Sequence, residues 1–207
     1  MIRINGVDVA STANEMSSIS QGTYLLADNP NLYEPQRSNN FDFVVTGLTD
    51  MLRAGALGDE ENAYIANAQE VLRIAVDSAF IPHFTQEVLS VNLGNDVVKY
   101  AGKMSFGEGS LVIKDFIGAD TKAALLAWQN LSGNVRTEKV GHASDYKKDA
   151  YLIEYTPDYQ TVRRWVLKGC WISSISEEPY SQGSNDVRVV TATIQYDKGY
   201  PDMSDVV

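Results

Sequence analysis

The chain has 207 residues, of which 17 are Lys or Arg and 27 are Asp or Glu, so its formal net charge is −10. This excess argues against a surface built broadly to grip nucleic acid, because such a surface needs basic side chains to replace phosphate counterions. A content of 44% hydrophobic and 21% charged residues is typical of a globular chain. No apolar run approaches the roughly 20 residues that span a bilayer, and one cysteine excludes an internal disulfide.

The acidic charge is concentrated at the two ends of the chain. Residues 1–69 hold nine acidic and three basic residues, and residues 177–207 hold six and two. Residues 70–176 hold twelve of each and are therefore neutral. Because acidic ends can simply aid solubility, this distribution alone assigns no function.

The amino-acid composition of the chain changes near residue 41. Residues 1–36 are rich in Ser, Asn, Thr and Gly, which predicts an extended arm with little core. Residues 41–48 are aromatic and β-branched and predict a strand. Residues 49–69 leave room for a short helix that glycines interrupt. Residues 71–84 alternate apolar and polar side chains and predict a further strand.

The middle of the chain predicts a hairpin followed by a helix. Residues 87–93 and 96–101 flank Gly94 and Asn95, which can take the positive φ that a tight hairpin turn needs. A helix is predicted to begin after Asp120, with Ala124, Trp128 and Leu131 on one stripe and Gly133 at its end.

Strands return in the last third, at residues 149–156, 162–176 and 187–196. Strands joined mainly by turns, with one well-marked helix, predict a mainly β fold with one α-helix packed on it. The sheet should be antiparallel, as a sandwich or partial barrel.

Few residues in the sequence point to catalysis or to metal binding. His83 and His142 fall in predicted turns or loops, and no Gly-x-Ser-x-Gly elbow accompanies them. Cys170 lies within a predicted strand, where a small gap-filling residue is expected more often than a nucleophile. No zinc-type spacing of His and Cys occurs. We therefore expect no enzyme, cofactor or metal site; a β-rich hydrolase using either histidine is the alternative from a different class.

Three segments, read in order, resemble the tail-tube proteins of contractile-tailed bacteriophages. They are residues 39–48 (NNFDFVVTGL), residues 94–106 (GNDVVKYAGKMSF), and residues 145–150 with 165–176 (DYKKDA and WVLKGCWISSIS). The last segment resembles the family's Leu-x-Gly-Cys-Trp/Phe-Pro pattern, but Ile172 stands where proline is common. The resemblance implies a tube domain at residues 37–201, with residues 49–69 as an insert, residues 1–36 as an N-terminal arm and residues 202–207 as a C-terminal tail.

The resemblance implies a structural virion protein that acts by self-assembly. Subunits of this family form stacked hexameric rings, in which strands join into one continuous β-barrel around a channel that conducts DNA during infection without binding it specifically. The implied partners are further copies of the chain, a contractile sheath protein, and baseplate or tail-initiator proteins. The implied location is the virion tail, assembled in the host bacterial cytoplasm. A tube-initiating baseplate protein and the tube of a type VI secretion or tailocin-like machine remain as alternatives.

The resemblance also assigns two candidate sites. Family tubes tend to present an acidic lumen, and candidate lumen-facing acids on predicted strands are Asp42, Asp77 and Glu154. We expect a ring-to-ring contact at the hairpin, whose arms are apolar and whose tip is polar. Its residues are Val91, Leu93, Gly94, Asn95, Asp96, Val97 and Val98.

Overall fold

The computed structural model describes most of the chain, namely residues 3–4, 7–8, 35–55, 67–117, 121–177, 179–183 and 185–202. The chain divides into two compact units, Met1–Ser38 and Asn39–Val207. In the first unit, β1 (Arg3–Ile4) pairs antiparallel with β2 (Val7–Asp8). Most of the predicted arm, much of the predicted insert and most of the predicted tail lie outside the described residues, so the predicted domain boundaries stay predictions.

The second unit contains strands and short helices. Its first half consists of β3 (Phe41–Val45), α1 (Leu48–Gly55), α2 (Ala68–Ala75), β4 (Val76–Ser78), β5 (Phe84–Leu93), β6 (Asp96–Phe106) and β7 (Gly109–Lys114). Its second half consists of α3 (Thr121–Ser132), α4 (Ala143–Tyr146), β8 (Lys148–Tyr155), β9 (Thr161–Glu177), β10 (Val189–Gln195) and β11 (Lys198–Asp202).

Seven of these strands form one curled antiparallel sheet around the long strand β9. The order is β3-β8-β9-β10-β7-β4, and β11 also pairs with β9. The first half of β9 lies between β8 and β11, and its second half pairs with β10. The half-barrel confirms the predicted fold class, a mainly β antiparallel partial barrel carrying a helix.

Strand β9 passes from one half of the sheet to the other at Gly169. This residue has a φ of 68°, and a Cβ placed on it would collide with the carboxylate of Asp197. Asp197 in turn donates its backbone N–H to the carbonyl oxygen of Lys168 at 2.9 Å. Glycine is required here because any side chain would be strained and would collide with that carboxylate.

The core lies between one face of the curled sheet and the helices. Alternate residues of the strands point into it, as the period of two requires. Leu111, Leu167 and Ala192 are each fully buried in this layer. Helix α3 adds Trp128, whose indole N–H donates to the carbonyl oxygen of Tyr146 at 2.9 Å. The buried indole is thereby satisfied, and α3 is held against α4.

The prediction of a strand over residues 71–84 is wrong for its first part. The chain forms helix α2 to Ala75, and only Val76–Ser78 form a strand, which pairs with β7. Ala68, Leu72 and Ala75 are buried at a spacing of four and three residues, the period of a helix. Ile74, which the alternation assigns to the same face as Leu72, is 73% exposed.

Candidate assembly surface

Strands β5 and β6 form a two-stranded sheet of their own. Their pairing runs antiparallel from Phe84 opposite Phe106 to Leu93 opposite Asp96. Gly94, in the two-residue connection, has a φ of 64°. The predicted hairpin is therefore confirmed, and it extends further toward the sheet than the sequence pattern indicated.

The hairpin exposes an unusual amount of apolar surface. Every residue of β5 is exposed, and β6 is exposed over most of its length. Eight large apolar side chains are among them: Phe84, Val88, Leu89, Val91, Leu93, Val97, Tyr100 and Met104. A two-stranded hairpin in water is marginally stable on its own, and contiguous exposed apolar surface marks an interaction site.

The outer part of the hairpin is amphipathic. Between the pairs Gln86–Met104 and Val88–Ala101, Glu87 of β5 lies opposite two residues of β6, so the β-bulge is in β6 and the side chains of β5 alternate regularly. Beyond the bulge, the apolar face consists of Leu89, Val91, Leu93, Asp96, Val98 and Tyr100. The opposite, polar face consists of Val88, Ser90, Asn92, Val97, Lys99 and Ala101.

Aromatic rings connect the base of the hairpin to the core of the sheet. The ring of Phe106 lies 6.1 Å from that of Phe84 and 6.0 Å from that of Tyr196. Tyr196 stacks on Phe80 at 5.5 Å, and Phe80 packs against Phe43 at 6.1 Å. The base of the hairpin is therefore fixed to the folded subunit, while its outer two-thirds extends as a ribbon.

Two of the candidate lumen acids lie on opposite faces of the sheet. Asp42 accepts hydrogen bonds from the guanidinium of Arg73 and, at 3.2 Å, from the hydroxyl of Tyr155. Glu154 lies on the core-facing row and accepts a hydrogen bond from the indole N–H of Trp165 at 2.8 Å. Successive residues of a strand alternate between faces, so one continuous wall cannot present both carboxylates.

The third acid, Asp77, lies on β4 and forms an ion pair of 2.8 Å with Lys114. Arg73 pairs with Asp42, and Arg163 pairs with Glu154. The structure therefore does not bring the three carboxylates together, and each has a cation beside it. Their exposure to a lumen stays a prediction.

Cys170, His83 and His142 are the residues that the sequence offers as candidates for catalysis. Cys170 is fully buried, and burial raises the pKa of its thiol to about 12, so it stays protonated at physiological pH. This confirms the interpretation of Cys170 as a small interior strand residue. His83 and His142 lie outside the helices and strands. Within the described residues, no group of three or more His, Cys, Asp or Glu could hold a metal ion.

No helix in the described part of the chain is both long enough and apolar enough to cross a membrane. No protein-family profile matches the sequence.

Two curated relatives are tail tube proteins. The chain is 23% identical over 120 residues to the tail tube protein gp19 of Enterobacteria phage T4, a match covering 56% of this chain and 74% of that protein. It is 24% identical over 120 residues, with the same coverage, to the tail tube protein gp19 of Enterobacteria phage T6. The chain thus resembles contractile-tail tube proteins, which agrees with the prediction of a structural protein rather than an enzyme.

Solved structures of contractile injection systems share the fold. One is the sheath–tube complex of the PVC extracellular contractile injection system, with a TM-score of 0.58 and 17% identity over 90% of this chain and 99% of that chain. Another is the tube-terminating cap of the anti-feeding prophage, with a TM-score of 0.57 and 16% identity over 82% and 91%. The chain therefore has the fold of these tube and cap chains of contractile injection systems, and its sequence is similar to that of contractile-tail tube proteins.

Proposed function

We propose that this chain is a structural subunit that assembles with copies of itself into the hollow inner tube of a contractile tail. One observation carries the proposal: the β5–β6 hairpin presents an apolar face that its own subunit leaves exposed. The similarity to tail tube proteins of two phages supports the same role.

The hairpin makes assembly favourable because its apolar side chains leave water only in a complex. Leu89 is 58% and Leu93 59% exposed in the single subunit. Burying a side chain of this size contributes about 1.5–3 kcal/mol in full. Several such side chains on one face are enough to hold a neighbour, which supports the predicted ring-to-ring contact at Val91, Leu93, Gly94, Asn95, Asp96, Val97 and Val98.

Ring formation would also give the open edges of the sheet a pairing partner. In the described residues, β3, β4 and β11 each pair with one neighbouring strand and so present an open edge. Unpaired strand edges favour pairing with another chain, and closure into a barrel removes them. Stacked hexameric rings, with strands of neighbouring subunits completing a continuous β-barrel, satisfy these edges by closed cyclic symmetry.

The channel of such a tube would conduct DNA during infection without binding it specifically. A net charge of −10 per subunit gives the assembled surface little attraction for phosphates. Among the candidate lumen acids Asp42, Asp77 and Glu154, only one of Asp42 and Glu154 could face the channel, because they lie on opposite faces of the sheet. The cation beside each acid reduces its contribution to the field. The proposed partners are a sheath protein and baseplate or tail-initiator proteins, and the proposed location is the virion tail, after assembly in the host cytoplasm.

A tube-initiating baseplate protein is a second candidate of the same class. The chain also shares its fold with a chain in the baseplate structure of the anti-feeding prophage, with a TM-score of 0.56 and 14% identity over 81% of this chain and 95% of that chain. An initiator would stop after one ring, whereas a tube subunit would continue to add rings.

Sedimentation velocity over a range of protein concentrations, with and without preformed assemblies as seeds, tests the proposal. We expect a slow species to convert into large particles as concentration rises, and seeds to speed the conversion. A single discrete ring would identify the initiator instead. A chain that stays monomeric at high concentration with seeds would overturn the proposed function.

A further inference from the structure

The solvent face of the first half of the sheet contains an apolar groove. Four residues from four neighbouring strands form one cross-strand row along its floor: Val44, Tyr151, Val166 and Tyr200. Further lining residues are Ile153, Arg164, Lys168 and Asp202. This face is opposite to the core, because Val45, Ala150 and Leu167 form the adjacent row and point inward.

The groove is concave enough to shelter apolar side chains. Val166 is only 5% exposed although it points away from the core, whereas Tyr200 beside it is 46% exposed. A concave apolar floor with a few charges around it is the usual form of a binding groove. Because the apolar face of the hairpin is itself exposed, the subunit does not fill the groove with its own hairpin.

We propose that this groove receives the apolar face of the β5–β6 hairpin from a second copy of the chain. The inference rests on the proposed function and names the surface that accepts the hairpin. Strands in a sheet lie about 4.8 Å apart, so four strands give a floor about 14 Å across. A two-stranded ribbon, one strand spacing wide plus its side chains, fits within that width.

The two surfaces also match in chemistry. Each combines aliphatic residues with tyrosine, since the hairpin contributes Tyr100 among leucines and valines. The apolar face of the hairpin ends in Asp96 at the tip and Glu87 opposite the bulge, about 20 Å apart along the strand. The groove has Arg164 and Lys168 on either side of its apolar row, about 13 Å apart, and both have long side chains. Asp202 lies opposite Arg164 and Lys168 also binds Asp149 at 2.6 Å, so the groove carries a small positive excess.

A single contact of this kind is too small to hold an isolated pair. The apolar face of the hairpin spans five residues of each strand and is about 17 Å long and 10 Å wide, or about 170 Å², well below the roughly 800 Å² that each partner gives to a standard interface. Hairpin and groove are different surfaces of one chain, so the contact is heterologous and repeats from copy to copy. Closure then supplies two such contacts to every subunit.

A pair of single-cysteine variants tests the contact directly. Val91→Cys places a thiol on the apolar face of the hairpin, and Tyr200→Cys places one in the groove. The native Cys170 is buried and does not compete for the reagent. Ser90→Cys, the neighbouring residue on the polar face, is the matched control for Val91→Cys. Leu89→Cys and Ile153→Cys repeat the pair in case one variant fails to fold.

The variants are mixed, assembled and treated with a short bismaleimide. We expect Val91→Cys with Tyr200→Cys to give a cross-linked dimer in at least about tenfold higher yield than Ser90→Cys with Tyr200→Cys, because docking raises the effective concentration of the two thiols. If rings assemble but neither pair gives this cross-link, the groove is not the surface that receives the hairpin, and the proposed function is unaffected. If neither the variants nor the native chain forms rings and no cross-link appears, both the groove contact and the proposed function are wrong.

Discussion

The curled sheet and the β5–β6 hairpin are built from the same kind of strand but have opposite relations to water. In the sheet, Leu111 and Ala192 are fully buried against the helices, whereas every residue of β5 is exposed. The core face of the sheet therefore completes its packing within one chain. The hairpin also has an apolar face, which in the proposed assembly is covered by another chain.

This difference separates the free energy of unfolding of the single subunit from the free energy of its assembly. Substitutions in the sheet should change the free energy of unfolding of the single subunit, since they remove contacts made within the chain. Substitutions on the outer part of the hairpin should leave that free energy nearly unchanged and act on assembly. Substitutions in the two regions can therefore test this separation.

Removal of the outer hairpin should abolish assembly. Replacing residues 90–98 by a short turn removes Val91, Leu93 and Val98 from the apolar face but leaves the aromatic base at Phe84 and Phe106. We expect a folded monomer with a melting temperature close to that of the native chain, measured by circular dichroism, and no large particles in sedimentation. Normal tubes from this variant would remove the hairpin from the account.

Two substitutions in helix α2 should differ strongly in their effect on stability. Leu72 is 1% exposed and Ile74 is 73% exposed. Leu72→Ala should lower the free energy of unfolding by about 3 kcal/mol, because it leaves a cavity in the core. Ile74→Ala, the matched control, should change it by less than about 0.5 kcal/mol. Equal losses in urea titrations would support the strand that the alternation predicts, in which both residues share a face.

Gly169, where β9 passes from one half of the sheet to the other, should tolerate no side chain. Gly169→Ala should lower the free energy of unfolding by about 1–3 kcal/mol, because the new Cβ meets Asp197 and the positive φ becomes strained. Gly133→Ala is the control, since a Cβ there meets nothing within 4 Å. Thermal unfolding of the two variants compares them, and an unchanged Gly169→Ala would mean that β9 does not bend there.

The smallest effect should be a pH dependence at the end of β9. Hydrogen bonds from Lys122 and Arg188 hold the pKa of Glu177 below its ordinary value. A carboxyl whose pKa is lowered by folding stabilises the native state above the pKa of the unfolded chain, about 4.3. That stabilisation is lost as the pH falls through the lower, folded value. Glu177→Gln should therefore flatten the acid limb of a plot of stability against pH; an unchanged limb would show that the ion pairs contribute nothing.

The sequence predicted the hairpin and the helix well because both depend on local signals. Gly94 and Asn95 mark the turn, and the stripe ending near Leu131 marks α3. Helix α2 was misassigned because in a run of eight residues an alternating pattern and a helical pattern can coincide. Only packing against the sheet decides between them.

The amphipathic face of the hairpin could not be predicted from spacing alone. The bulge in β6 puts Tyr100 and Met104 on opposite faces although they are four residues apart, and a bulge depends on the partner strand, as do the faces reached by Asp42 and Glu154. The cations beside these acids come from residues distant in sequence, such as Arg73 beside Asp42. The predicted hairpin is therefore present in the fold, whereas its role as a ring-to-ring contact and the exposure of the three acids to a lumen stay predictions.

Negative-stain electron microscopy of the native chain, at high concentration and with seeds, tests the central claim most directly. The account predicts stacked rings with a central hole, which lengthen as more subunit is added. A uniform population of small monomeric particles under the same conditions would contradict it.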